Sequence, residues 1–349
     1  MYVFANAETS GFKMKSWEIP FYAAPETLTP LRLMNPSGAS DDVYDGALID
    51  DGGRQYRIDR GLPNFILDRE IAGKAKDVQT FYEGRSETYD QYLHLTFYTH
   101  GEDEKKVRNG FVDLLGVSPD SKVLEVAAGS GRDSEIIASR LDATGRLFLQ
   151  DISPGMLEKA RVKLATQSVP VSFSLGSASN LPYFDDTFDC VYSFGGLGEF
   201  PDIKLALSEM VRVCKPGGRI VVGDESIPVW LRNTEFAKIL STTNPQFLAP
   251  LPLEHMPVQA REVCVRWVIG GVFYLIDFSV APGAPTANFD YPVPGPRGGT
   301  LRTRYEGQLE GVTHGTKELA HNARAKKGLS MHEWLDAVVR NAAKKDLSE

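Results

Sequence analysis

From Lys122 to Glu225 the chain keeps repeating one pattern: a short apolar run, a turn, then a stretch of helical period. "KVLEVAA", "RLFLQD", "VSFSLG", "FDCVYSF" and "GGRIVVGDE" read as strands. "DSEIIASRL", "SPGMLEKARVKL" and "IKLALSEMVRVC" read as helices, the second with Ser153 as N-cap and Pro154 at its first position. Strands alternating with helices pack as a mostly parallel sheet with helices on both faces. "EVCVRWVIGGVFYLIDFSV" adds two more strands, joined at Gly270-Gly271, which reads as a two-residue type I′ hairpin. The expected fold class is therefore α/β: a doubly wound, mostly parallel seven-stranded sheet with an antiparallel last strand.

The chain has 349 residues, too many for one ordinary core. Residues 1–70 read as a small β-rich module, in which Tyr56 and Ile58 of "GRQYRIDRGLPNFIL" alternate with polar neighbours. Residues 71–280 carry the α/β domain. They open on a helical, aromatic-rich stretch that Gly116 ends, and they include an insertion of about forty residues before the hairpin, long enough to form a lid. Residues 281–300 are a Pro/Gly-rich linker. Residues 301–349 form a mostly helical appendage: "LRTRYEGQLEGV" can be a strand, and two amphipathic helices follow, the second with Ser330 and Glu333 as a capping box.

The formal net charge is −8, which on average repels phosphate backbones and makes nucleic acid a poor partner. Cys190, Cys214 and Cys264 lie far apart without a C-x-x-C pair, so neither a disulfide framework nor a cysteine metal site is expected. The N-terminal residues lack a secretory pattern, and "VRWVIGGVFYLIDF" is too short to span a bilayer. A cytoplasmic protein without a membrane partner is expected.

"VLEVAAGSGRDS" (123–134) supplies the first chemistry. Small residues at Ala127, Gly129 and Gly131 let the backbone approach a ligand, and the following helix offers free N–H groups. A dinucleotide fingerprint would place glycine at Ala127. Glu125, two residues before the turn, would repel a pyrophosphate but suits an ammonium group. Asp151 ends the second strand, 20 residues after Gly131, where a carboxylate can accept both ribose hydroxyls. S-adenosylmethionine has the ammonium and the ribose and no phosphate, and it is the expected cofactor.

The run "VLEVAAGSG … LQDISPGMLEKAR … GSASNLP…FD … EMVRVCKPGG" resembles, in order and spacing, the class I S-adenosylmethionine-dependent methyltransferases of the ubiquinone/menaquinone C-methyltransferase type. The resemblance implies a Rossmann-like methyltransferase sheet. It places Glu125, Ala127, Gly129 and Gly131 around the methionine end, Asp151 on the ribose, Ile152 and Met156 beside the adenine, and Ser177 and Ala178 near the adenine amino group. Tyr82, Tyr89 and Ser193 complete the expected cofactor contacts. The family commonly has an acidic residue where Ser177 stands; a serine oxygen can also accept a hydrogen bond.

Methyl transfer to a small-molecule acceptor is the expected reaction, the alternatives being an RNA methyltransferase or a non-methylating S-adenosylmethionine-binding enzyme or regulator of the same fold. Such an in-line displacement needs a base only if the acceptor must lose a proton. His94, His100 and Tyr98 are the candidate catalytic groups. Phe81, Tyr82, Tyr89, Tyr92, Phe97 and Tyr98, with Trp230 and Phe236 of the insertion, could line an apolar acceptor pocket. "APETLTPL" and "GRQYRIDRGLP" resemble the zinc-ribbon head of some rRNA guanine methyltransferases, but Ala24 and Thr27 stand where its cysteines would fall, so no metal is expected. "LSMHEWLDAVVRNAA" resembles a ribbon-helix-helix unit. Because its basic residues alternate with Glu306, Glu310, Glu318, Glu333 and Asp336, a homodimer or packing role is expected before DNA binding.

Overall fold

A computed structural model describes residues 11–38, 41–71, 74–85, 91, 94–306 and 312–348. They divide into two compact units, 1–283 and 284–349.

The first unit holds a seven-stranded sheet of β7 (Lys122–Val126), β8 (Arg146–Asp151), β9 (Val171–Leu175), β10 (Phe188–Phe194), β11 (Cys214–Glu225), β12 (Ala260–Val268) and β13 (Phe273–Val280). The strand order is β12-β13-β11-β10-β7-β8-β9. β9, β8, β7, β10 and β11 run parallel, and β13 is antiparallel to both β11 and β12. This is the Rossmann-like methyltransferase arrangement, with one reversed strand. The hairpin loop differs from the two-residue form: Val268 pairs with Phe273, so four residues turn the chain, three of them (Ile269, Gly270, Gly271) at positive φ. The His100 ring lies against this loop, within 2.5 Å of where a Gly270 Cβ would sit. That close contact selects glycine there.

The helices form where the sequence caps them. Ser153 Oγ accepts from Met156 N at the start of α5 (Pro154–Leu164), and Asp202 Oδ1 accepts from Leu205 N at the start of α6 (Ile203–Val213). α6 then buries Ala206, Leu207, Met210, Val211 and Val213, one helical stripe against the sheet. Ahead of β7 lie α1 (Lys74–Arg85), α2 (His94–Thr99) and α3 (Glu104–Asp113); after β7 comes α4 (Arg132–Ala138). Gly116, at φ +62°, ends the approach to β7 as a helix stop should.

The N-terminal residues form short strands: β1 (Met14–Lys15) pairs with β3 (Asp42–Val43), and β2 (Arg32–Ser37), β4 (Asp45–Ile49), β5 (Gln55–Asp59) and β6 (Leu62–Pro63) make an antiparallel sheet. In β5 Tyr56 and Ile58 point inward, as their alternation requires. This head is fastened to the β9 edge of the large sheet. Phe65 N donates to Leu175 O at 2.8 Å, Ala23 N donates to Pro182 O at 2.9 Å, and Tyr22, Phe65 and Tyr56 share one core with Phe148, Tyr183 and Phe188. Closing the β9 edge also removes a free template for strand addition.

The second unit contains α8 (Leu301–Glu306), α9 (His314–Lys326) and α10 (Met331–Asp346). The expectation of a strand at 301 is corrected: Thr300 Oγ1 accepts from Thr303 N, a cap that starts a helical turn instead. Ser330 and Glu333 form the capping box that starts α10. Arg302 pairs with Asp290, and Arg304 donates to Gly298 O.

Candidate functional site

β7 has β8 on one side and β10 on the other, so the chain switches direction across the sheet between β7 and β10. In open α/β sheets a crevice forms at such a switch, beyond the carboxyl ends of the strands. A cavity of about 570 Å³ lies there. It is lined by the ends of β7 (Glu125–Ala128), β8 (Asp151, Ile152), β9 (Gly176–Ala178), β10 (Phe194–Gly196) and β11 (Asp224, Glu225). That volume suits a ligand of nucleoside size.

The turn after β7 is built from left-handed residues: Ala127 at φ +56°, Gly129 at +55° and Gly131 at +77°. Gly131 is the N-cap of α4, and a Cβ there would come within 2.8 Å of the Ala160 Cβ on α5, so only glycine lets the two helices close. Ala127 carries the backbone strain that glycine would avoid. Ala127→Gly is expected to leave the fold intact and to raise stability by about 0.5–1 kcal/mol, the relief of a left-handed alanine less the added freedom of the unfolded chain. Urea unfolding checks this; a destabilised variant would show that the Ala127 methyl packs more than it strains.

Asp151 ends β8, 8 % exposed. Its Oδ2 accepts from Gly129 N at 2.8 Å and its Oδ1 from Ser153 N at 2.9 Å. It thus ties the turn to the N-terminus of α5, and each oxygen keeps lone-pair capacity for a hydroxyl. Burial raises its carboxyl above the usual range, and the hydrogen bonds from backbone N–H groups pull it back down. Glu125 is buried beneath the turn, and Ser134 Oγ donates to it at 2.5 Å. Burial first, then the neighbouring Asp133, push the Glu125 carboxyl well above its ordinary value, while Ser134 and Arg108 oppose them. An ammonium group beside Glu125 would restore its charge. Arg108 is committed elsewhere: it grips Asp133 through two contacts of 2.8 and 2.9 Å and Glu104 at 2.8 Å. Arg132 also pairs with Glu104.

Helical elements wall the cavity. Val78, Phe81 and Tyr82 of α1 line it, and Gln79 Nε2 donates to Ile152 O at 2.9 Å, latching α1 over the end of β8. Thr96 and Phe97 of α2 add a second side. Thr243, Asn244 and Gln246 of the insertion, at the end of α7 (Glu235–Thr243), contribute a third.

The structure brings together at one cavity Tyr82, Glu125, Ala127, Gly129, Asp151, Ile152, Met156, Ser177 and Ala178. Tyr89 and Tyr92 lie outside the described residues. Gly131 shapes the turn from behind and is not part of the lining. Ser193 is fully buried within β10 and does not reach the cavity, because its neighbours Tyr192 and Phe194 alternate with it across the sheet. The three catalytic candidates lie off this lining. Tyr98 is 77 % exposed and His94 is exposed, both outside the cavity lining. His100 is turned back, its Nδ1 2.8 Å from Thr96 O and its ring against Phe236. Trp230 is exposed and packs on Trp267. In a six-residue helix one face meets the cavity, and Thr96 and Phe97 take it.

Sequence reasoning missed Arg108, Asp133, Glu199, Asp224, Glu225, Asn244 and Gln246. Asp224 and Glu225 had a signal: they end β11 in "GGRIVVGDE", as Asp151 ends β8. The others come from separate elements that only folding assembles. Among the described residues no three His, Cys, Asp or Glu side chains gather as a metal site, and no helix is long and apolar enough to cross a membrane.

Residues 70–239 match the model of the ubiE/COQ5 methyltransferase family. The ubiquinone/menaquinone biosynthesis C-methyltransferase of Haemophilus ducreyi is 39 % identical over 121 residues, 34 % of this chain and 47 % of that protein. An uncharacterized protein of Mycobacterium tuberculosis is 35 % identical over 162 residues, 46 % of this chain and 56 % of that protein. The chain thus spans about half the length of the curated relatives it matches. Among solved structures, a chain from the complex between the Haloferax volcanii Trm112 methyltransferase activator and a methyltransferase superposes with a TM-score of 0.44 at 16 % identity, covering 60 % of this chain and 100 % of its own. The topology of the sheet and the turn after β7 agree with the family match: on a Rossmann-like methyltransferase fold, residues 70–239 are similar to the ubiE/COQ5 methyltransferases.

Proposed function

We propose that the protein transfers a methyl group from S-adenosylmethionine to a small-molecule acceptor by in-line displacement. The observation that carries this reading is the pairing of Glu125 and Asp151 at the ends of adjacent strands, on either side of one left-handed turn and in one cavity. Asp151 would take the ribose hydroxyls, and Glu125 the methionine ammonium. Ile152 and Met156 would flank the adenine, with Ser177 and Ala178 near its amino group. The acidic lining opposes a pyrophosphate. The protein's part in the chemistry is to hold acceptor, methyl and sulfur in line and to exclude water, and α1, α2 and the insertion wall the cavity for that purpose. Calorimetry with S-adenosylhomocysteine and with NAD tests the reading. Micromolar-range binding of S-adenosylhomocysteine and none of NAD is expected; tighter NAD binding would sink it.

The C-terminal unit is read as a self-association element. Its helices expose Leu319 at 70 % and, on α10, Leu335, Val338 and Val339. Two short helices cannot bury both stripes by themselves. Light scattering is expected to give a dimer for the full chain and a monomer after truncation at Gly299. A monomeric full chain contradicts this, and salt-sensitive duplex-DNA binding lost on truncation would favour a regulatory role instead.

A further inference from the structure

The cavity extends past the cofactor turn to the end of β11, and the chemistry changes there. Glu199, Asp224 and Glu225 line that end, together with the rings of Phe194, Phe200 and Phe273. The arginines that line the cavity, Arg108 and Arg132, are bound to carboxylates of α3 and α4. Asp224 is held in place: Gly198 N donates to its Oδ2 at 2.5 Å and Glu225 N to its Oδ1 at 2.8 Å. Glu225 is positioned by one side chain, with Asn244 Nδ2 donating to its Oε2 at 2.8 Å. Carboxylates beside apolar side chains suit an organic cation with an apolar body, which the charge attracts.

We propose that the methyl acceptor is a small primary or secondary amine on an apolar body, and that Glu225 is the base that accepts its proton. This rests on the methyltransferase reading above. The amine enters as its ammonium, which Glu199 and Asp224 attract. The ammonium gives one proton to Glu225. The freed nitrogen lone pair then attacks the sulfonium methyl carbon as the C–S bond breaks, its electron pair returning to sulfur. The products are a neutral thioether and a methylated ammonium, and the proton on Glu225 passes to solvent. Burial, with Asp224 beside it, lifts the Glu225 carboxyl to about 7, and the Asn244 hydrogen bond works the other way, so near neutral pH it can both take up and release a proton. Anionic acceptors are disfavoured by three carboxylates at the same end.

The test uses the full chain saturated with S-adenosylhomocysteine at pH 8, titrated by calorimetry with 2-phenylethylamine, 2-phenylethanol and phenylacetate. The amine is expected to bind at least tenfold tighter than the alcohol, and phenylacetate weakest. Glu225→Gln is expected to erase most of the preference for the amine over the alcohol. If that variant no longer binds S-adenosylhomocysteine, Glu199→Gln is titrated in its place, with a loss of at least threefold for the amine alone. Equal affinities, a preference for the alcohol or the acid, no amine binding, or an amine preference untouched by the substitution overturns the proposal. Failure of the unaltered chain to bind S-adenosylhomocysteine sinks the cofactor reading and, with it, this one.

Discussion

Asp151→Ala is expected to lower affinity for S-adenosylhomocysteine by about a hundredfold or more. Hydrogen bonds to a charged acceptor are worth about 1.5–3 kcal/mol each, and the ribose offers two hydroxyls. The structure adds a second loss. Both carboxylate oxygens already hold backbone N–H groups, from Gly129 and Ser153, so alanine also releases the turn and the start of α5. Asp151→Asn separates the two effects: it keeps the shape, loses the charge and turns one acceptor into a donor. An intermediate loss of about tenfold is expected for it, with less change in thermal unfolding without ligand. Calorimetry of both variants, with unfolding curves beside it, is the measurement. Unchanged affinity in a folded Asp151→Ala protein would reduce Asp151 to a helix cap.

Glu18→Gln is expected to flatten the pH dependence of stability. Glu18 lies at the joint between the head and the large sheet, 1 % exposed. Its oxygens accept from Lys15 N at 2.7 Å, from Ser172 Oγ of β9 at 2.6 Å and from Tyr22 Oη at 3.2 Å. Burial outweighs these bonds and raises the carboxyl from 4.5 to about 7. Between those values the native state holds a proton that the unfolded chain has released. Stability must therefore fall as pH rises from about 4.5 to 7 and level off above, by on the order of 3 kcal/mol for this one group. Glu225, raised to about 7 as well, adds a slope of the same sign. Glutamine stays neutral and keeps an acceptor for Ser172, so the variant should match the unaltered protein near pH 4.5 and exceed it at pH 8. Urea unfolding across pH 4.5–8 measures this, and parallel profiles for the two proteins would refute it.

The sheet was legible because local signals agreed along it. Each strand of 122–225 is a short apolar run closed by a turn residue, and α5 and α6 each start on a side chain that caps them. The hairpin loop and the strand expected at 301 were misread for different reasons: the first is set by a contact distant in the chain, the second by a local cap. The His100 ring against Gly270 sets the first, and the Thr300–Thr303 pair sets the second.

The sequence by itself determined the turn and its two carboxylates, because Glu125, Ala127, Gly129, Gly131 and Asp151 sit at strand ends whose spacing the βαβ unit dictates. Only the tertiary structure decided which face of α2 meets the cavity, so Thr96 and Phe97 line it while Tyr98 and His94 stay outside. Only the tertiary structure brought Glu199, the Asp224–Glu225 pair and Asn244 together from three places in the chain. Charge clusters of that kind leave no period in a sequence, since they depend on how loops converge over strand ends. The same holds for Glu18: it reads as one acidic residue among 46 Asp and Glu, and it becomes a proton-holding joint because Tyr22 and the β9 edge close over it.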